Sequence, residues 1–306
     1  MSEKPALIII SGPTGVGKTD AAIAAAEPLG AEIVSADAMQ VYRQMDIGTA
    51  KPTPEQQQRV RHHLIDVVDP DEPFSAALFK EMAGARIRDL YRKKCPIFVV
   101  GGTGLYIKAL TRGLFPTGAQ DRAIREKLRE EVEASGLEAL YERLRMVDPE
   151  AAQRIHPNDT YRIIRALEVH QATGQPISRL QRNHGFQDAA YRTLSIGLTL
   201  DRTVLYDRID KRVDAMLASG FLEEVKGLLD QGYSSTLKSM RSIGYRHVAD
   251  YLEGRVSWDE TVSLFKRDTR RYAKRQLTWF NADSDMEWLE PNQADEMREE
   301  IDLFLS

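Results

Sequence analysis

Hydrophobic positions in the first third of the chain come in short unbroken runs rather than in stripes. Ala6–Ser11 (ALIIIS), Glu32–Ser35 and Pro96–Val100 (PIFVV) are apolar at successive positions, the pattern of strands covered on both faces. The alanine-rich run Lys18–Ala26 and the run Leu105–Leu110 read as helices. Strands alternating with helices predict a mostly parallel α/β sheet. Between about Gln120 and His184 the period changes. In DRAIREKLREEVEASGLEALYERLR, Ile124, Leu128 and Val132, then Leu137, Leu140 and Leu144, recur at helical spacing. DPEAAQRI and NDTYRIIRALEVHQATG add two helices, the second capped by Asn158 or Asp159 and stopped near Gly174. Strand character returns at Thr193–Leu200, and a helix runs from Thr203 to about Ala218, with Gly220 as its stop. The expected architecture is an α/β core formed by residues 1–115 and 191–306, holding an all-helical insert at 116–190. The joints fall at Thr111–Gly118 and His184–Asp188.

Composition narrows the class. The chain has 306 residues and one cysteine, Cys95, so no intrachain disulfide is available and no oxidising compartment is required. No apolar run approaches the roughly 18 residues of a membrane span, and the apolar start leads straight into a glycine-rich loop instead of a signal-peptide cleavage site. A cytoplasmic protein with no membrane partner follows; a monomer is the expected state, although composition does not determine it. The net charge of −4 argues at first against nucleic acid, but the charge is uneven. Residues 281–306 carry nine acids and one base, which leaves residues 1–280 at +4. Val262–Phe280 holds Lys266, Arg267, Arg270, Arg271, Lys274 and Arg275 against one acid, Asp268. Phe265, Tyr272, Gln276 and Trp279 repeat near one helical face, and Arg267, Arg271 and Lys274 share another. Such a stripe is either a solvated face or a track for a phosphate backbone.

The strongest chemical signal is Gly12-Pro13-Thr14-Gly15-Val16-Gly17-Lys18-Thr19, the phosphate-loop pattern G-x-x-x-x-G-K-[ST]. It lies between an apolar strand and a helix, the context that gives the pattern its meaning. Glycines turn successive N–H groups toward phosphate oxygens, the helix N-terminus adds positive potential, Lys18 neutralises charge and the Thr19 hydroxyl helps hold Mg²⁺. Kinases and NTPases with this loop normally also supply an Asp from a second strand for the metal, or a water-positioning residue, and Asp37 and Asp66 are the candidates. Asp37 stands just beyond a strand's carboxyl end, where open α/β sheets bind ligands, although an Asp there also serves simply as a turn former. Gly101-Gly102-Thr103-Gly104 follows another strand and is either a further set of N–H donors or a tight turn. The six histidines show no metal-ligand spacing, and His62-His63 reads as strand-edge polarity.

GPTGVGKT, SADAMQVYRQMDIGTAKPT (Ser35–Thr53), HHLIDVVDPDEPFSAALF, VGGTGLYIKAL, NDTYRIIRALEV and SIGYRHV occur in this order between residue 7 and about residue 280. Together they resemble the bacterial tRNA dimethylallyltransferases, also called tRNA isopentenylpyrophosphate transferases. The resemblance implies transfer of a dimethylallyl group from its diphosphate to the N6 amine of the adenine 3′-adjacent to the anticodon. It implies a P-loop core that holds a leaving diphosphate with Mg²⁺, and Asp37 as general base, with Lys18, Thr19 and Arg212 acting on the diphosphate. The anticodon stem-loop of tRNA would meet Asp37, Ala38, Met39 and Gln40 around the target base. Further contacts would come from Thr103, Arg125, Tyr161, Arg162, Ile163, Ile164 and Arg165, and from Ser242, Ile243, Gly244, Tyr245, Arg246 and His247. The same loop would also bind ATP weakly. Two readings are set against this one: a P-loop small-molecule kinase of the nucleoside-monophosphate or shikimate type, and a nucleotide-gated RNA-binding switch without chemistry, against which Asp37 in its DAMQ setting argues.

Overall fold

The computed structural model describes residues 4–115, 122–186 and 190–306, apart from the side chain of Arg122. It divides into two compact units, residues 1–111 with 189–306, and residues 112–188. Parts of both predicted joints, 116–118 and 187–188, lie outside the described residues.

The larger unit carries β1 (Ala6–Ser11), α1 (Lys18–Ala26), β2 (Glu32–Ser35), α2 (Pro54–Arg59), β3 (His62–His63), α3 (Ala76–Arg92), β4 (Ile97–Gly101) and α4 (Gly104–Arg112). The smaller one carries α5 (Arg122–Val147), α6 (Pro149–Arg154), α7 (Thr160–Thr173) and α8 (Ile177–His184). The chain then returns to the larger unit through β5 (Arg192–Leu198), α9 (Arg202–Ala218), α10 (Phe221–Asp230), α11 (Tyr245–Leu252), α12 (Trp258–Phe280), β6 (Met286–Leu289) and α13 (Ala294–Leu305).

The sheet has the order β3-β2-β4-β1-β5-β6, and every pairing in it is parallel. The apolar runs follow from this placement. On β1, Leu7 and Ile9 enter the core on one face of the sheet, while Ile8 and Ile10 enter the core on the other. The neighbours β2 and β4 divide in the same way, Val34 and Val99 to one side and Ile33 and Phe98 to the other. Both faces are covered, so the strands need apolar residues at every position. The acidic segment after residue 281 contains a strand the sequence pattern does not announce, because β6 is an edge strand with only partly covered residues. The other edge is β3, where the buried His63 meets Glu32 of β2.

The smaller unit is all helical and has its own core, in which Leu128, Leu140, Leu144, Ile163 and Leu167 are buried together. The long predicted helix breaks at Gly136, with φ 80° and ψ 160°. Asp159 caps α7 by accepting the Arg162 N–H at 3.0 Å, and Gly174 ends it in the left-handed region. Buried Asp148 accepts the Ala151 N–H at 3.0 Å and the Ser178 N–H at 2.9 Å, which ties the starts of α6 and α8 together.

Candidate active site

Three loops leave the carboxyl ends of adjacent strands. The phosphate loop follows β1, the segment Ala36–Gln40 follows β2, and Gly102–Thr103 follows β4. Gly15 and Gly17 take φ of 82° and 102°, a region that side chains rarely enter, and this lets the loop close over its own N–H groups. Lys18 Nζ donates to the carbonyls of Gly12 at 3.1 Å and Pro13 at 2.8 Å. Burial, reinforced by the positive charge of Arg212 and opposed by Asp37, pushes the Lys18 ammonium down to about 8. Arg212, on α9, is likewise lowered by burial, with Asp37 acting against the shift. Lys18, Arg212 and Asp37 therefore share one electrostatic neighbourhood, two cations and one carboxylate beside an anion cradle.

Asp37 Oδ1 accepts the Met39 N–H at 2.7 Å and the Gln40 N–H at 3.2 Å. Among the described residues no hydrogen bond reaches its Oδ2. One oxygen therefore shapes the turn, and the other is not used by it. Two tyrosines stand near it. Burial is the main cause that raises Tyr106 and Tyr272 above the ordinary phenol range, and the Asp37 charge adds to both shifts. Asp66 is a different case: it has φ 55° and pairs with Lys51 Nζ at 2.5 Å, in a cluster that also contains Asp46.

The glycines of Gly101-Gly102-Thr103-Gly104 are explained by close approach. A Cβ would lie 2.2 Å from the Ala36 carbonyl oxygen at Gly101, 2.3 Å from Gln276 Nε2 at Gly102 and 2.1 Å from Trp279 Nε1 at Gly104. Thr103 joins this turn to the Asp37 loop, since its N–H donates to Ala36 O at 3.2 Å and its Oγ1 accepts from Ala38 N at 3.0 Å. Gln40 is also committed. Its Oε1 accepts from Ser35 Oγ at 3.1 Å, and its Nε2 donates to Ala50 O at 3.2 Å.

Of the other residues assigned by resemblance, Tyr245 and His247 are buried in the larger unit, and Ser242 Oγ is enclosed without a hydrogen-bond partner among the described residues. Ile243 is packed against that unit's core. Gly244 has φ 92°, and its N–H donates to His247 Nδ1 at 3.2 Å, which leaves the His247 Nε2–H to face Asp268 at the same distance. The exposed side chain of this segment is Arg246, which pairs with Asp268. In the helical unit, Tyr161 is 70% exposed and Arg162 lies on the surface, while Ile163 and Ile164 are buried. Arg125 and Arg165 both reach buried Glu168, at 2.8 and 3.1 Å.

The basic stripe is less uniform than its sequence. On α12, Lys266 pairs with Asp214 at 2.7 Å and Arg270 with Asp210 at 2.6 Å, so acids of α9 neutralise the side nearest that helix. Arg267, Arg271 and Lys274 stay on the exposed side, the first two beside Asp268. Two contributors were not assigned to the site from sequence, although Gln276 shares a helical face with Phe265, Tyr272 and Trp279. Glu224 of α10 accepts the N–H groups of Asp46, Ile47 and Gly48 at 3.0, 2.7 and 3.2 Å, together with the Tyr245 hydroxyl at 2.6 Å. Buried Gln276 accepts the Thr14 N–H at 2.9 Å and donates to Gly102 O at 2.8 Å. A lone Glu or Gln on an amphipathic helix does not show in the sequence which backbone groups it will meet.

The donor set suits a magnesium ion bound mainly through its ligand. The Thr19 hydroxyl, at the first turn of α1, makes no hydrogen bond among the described residues, and these assemble no cluster of three or more His, Cys, Asp or Glu. Mg²⁺ keeps waters and takes phosphate oxygens readily, so one hydroxyl beside a phosphate cradle is an appropriate protein share.

A family model described as IPP transferase matches residues 40–283. The chain belongs to the IPP transferase family. It is 54% identical to tRNA dimethylallyltransferase 2 of Geotalea uraniireducens over 94% of this chain and 93% of that one. It is 50% identical to the tRNA dimethylallyltransferase of Desulfatibacillum aliphaticivorans over the whole of both chains. The crystal structure of the full-length tRNA isopentenylpyrophosphate transferase of Bacillus halodurans matches with a TM-score of 0.74 at 41% identity, covering 99% of this chain and 97% of that one. A eukaryotic dimethylallyltransferase captured acting on tRNA matches with a TM-score of 0.78 at 28% identity, covering 94% of this chain and 74% of that one. The matching family and these relatives are named for isopentenyl or dimethylallyl transfer and not for phosphoryl transfer, so the kinase reading is set aside. Among the described residues, no helix of this IPP transferase is long and apolar enough to cross a membrane.

Proposed function

We propose that this protein transfers the dimethylallyl group of dimethylallyl diphosphate to the N6 amine of the adenine 3′-adjacent to the anticodon of tRNA, releasing diphosphate. The observation that carries the reading is the free Oδ2 of Asp37 in the same electrostatic neighbourhood as Lys18 of the phosphate loop and Arg212. The allylic C1–O bond breaks and its electron pair stays on the diphosphate, whose charge Lys18 and Arg212 stabilise together with loop N–H groups. The N6 lone pair forms the new C–N bond, and the N6 proton passes to Asp37 Oδ2 and then to water. Thr19 would hold Mg²⁺ beside the diphosphate; when bound, the ion neutralises leaving-group charge. The anticodon-loop adenine must leave its stack to reach this carboxylate, so recognition falls on splayed bases and backbone shape.

Nucleoside analysis of tRNA incubated with the protein and dimethylallyl diphosphate tests the proposal. The expected product is N6-dimethylallyladenosine beside the anticodon, with free diphosphate in equal amount. Unmodified tRNA, or a phosphorylated acceptor formed from ATP, would refute it.

A further inference from the structure

The phosphate loop and the glycine turn leave the sheet from paired residues, Ser11 on β1 and Gly101 on β4, and Asp37 follows β2, whose Ser35 pairs with Val100. Sheet pairing sets the spacing only up to the strand ends. Beyond them, the leaving group and its base would sit on separate loops. One side chain closes the gap. Gln276 projects from α12 and is 6% exposed, with its acceptor on the Thr14 N–H and its donor on the Gly102 carbonyl. From Gly102 the connection continues through Thr103, whose hydroxyl takes the Ala38 N–H and whose own N–H is bonded to Ala36 O. Ala36 and Ala38 flank Asp37.

We infer that Gln276 is a positioning residue that holds the phosphate loop in register with the Asp37 loop, through its paired hydrogen bonds to Thr14 and Gly102. The inference rests on the reaction proposed above. A primary carboxamide presents an acceptor and donors on one planar group without charge, as these two backbone partners require. A carboxylate would lose the donor to Gly102 and set a negative charge beside a diphosphate cradle. An apolar isostere would leave the half-buried Thr14 N–H and the buried Gly102 C=O without this partner. The absence of a side chain at Gly102 belongs to the same arrangement, because its Cβ would lie 2.3 Å from the carboxamide nitrogen. A misplacement of about 1 Å between reacting groups is enough to cost roughly a hundredfold in rate.

The test compares Gln276→Met, Gly102→Ala and the double variant in the full-length protein. Single-turnover transfer at saturating substrates should fall by about 10–100-fold in each single variant, while affinities for inorganic pyrophosphate and for tRNA stay within roughly threefold. The double variant should be little slower than either single one, because both break the same bridge. Hydrogen exchange at the Thr14 amide should be slow in the wild type and fast in both variants. Wild-type transfer rates in Gln276→Met, multiplicative losses in the double variant, or rapid Thr14 exchange in the wild type would each overturn the assignment. A wild type that transfers nothing would sink the proposed reaction, and Thr14 exchange would still decide the bridge.

Discussion

Asp37 accepts the Met39 N–H at 2.7 Å through Oδ1, and among the described residues nothing hydrogen-bonds its Oδ2. This division of one carboxylate makes its two roles separable. Asp37→Asn keeps a side-chain oxygen for the turn, since Asn accepts the same N–H bonds, but it removes the proton acceptor. Single-turnover transfer should fall by about 10²–10⁴-fold with both substrates still bound. A rate near that of the wild type would leave Asp37 as a turn former alone.

Lys18 gives a pH signature. Its ammonium is pushed down to about 8 in the free protein, so it loses its charge as pH rises through that value. A bound anion favours the charged form and raises the pKa again. Inorganic pyrophosphate should therefore bind with proton uptake near pH 8, and its affinity should decline at higher pH. Calorimetry in two buffers of different ionisation enthalpy measures the uptake. Lys18→Ala should abolish the part due to the protein, and uptake unchanged in that variant would clear Lys18 of the role.

Thr19 separates the two substrates. Thr19→Ala removes the hydroxyl at the start of α1 and should slow transfer while leaving tRNA affinity nearly unchanged. A filter-binding titration beside a turnover assay decides this, and a loss of tRNA affinity with full turnover at saturating tRNA would contradict the placement.

The charges of α12 should divide by partner. Replacing Arg267, Arg271 and Lys274 together with Ala should flatten the log–log salt dependence of tRNA binding by roughly 0.7–0.9 for each phosphate no longer neutralised. Lys266→Ala and Arg270→Ala remove charges that Asp214 and Asp210 already neutralise, so the slope should barely change. Equal effects from both groups would mean that the ion pairs open on the RNA.

Glu224 should matter to stability. Its carboxylate satisfies three successive backbone N–H groups and a tyrosine hydroxyl. Glu224→Ala should cost about 2–3 kcal/mol in urea unfolding, the scale of losing hydrogen bonds to a charged group. A loss below about 0.5 kcal/mol would mean that water replaces it freely.

Local pattern alone determined the strands β1, β2 and β4, the phosphate loop, the helical character of residues 122–184 and a cap at Asn158 or Asp159, which the structure assigns to Asp159. Each depends on neighbours in sequence: consecutive apolar residues for a strand covered on both faces, glycine spacing for a loop, a carboxylate three residues from the N–H it accepts. The resemblance across Ser35–Thr53 added the reaction class. Only the tertiary structure decided which polar residues meet. Gln276 lies 262 positions from Thr14, and Glu224 about 178 from Asp46. Folding likewise left the shared residues of SIGYRHV largely buried, with Tyr245 against Glu224 and His247 against Asp268, and it paired half-hidden bases of α12 with acids of α9. No periodicity records such meetings, because a side chain's partner across the fold is set by how strands and helices pack and not by its place along either one.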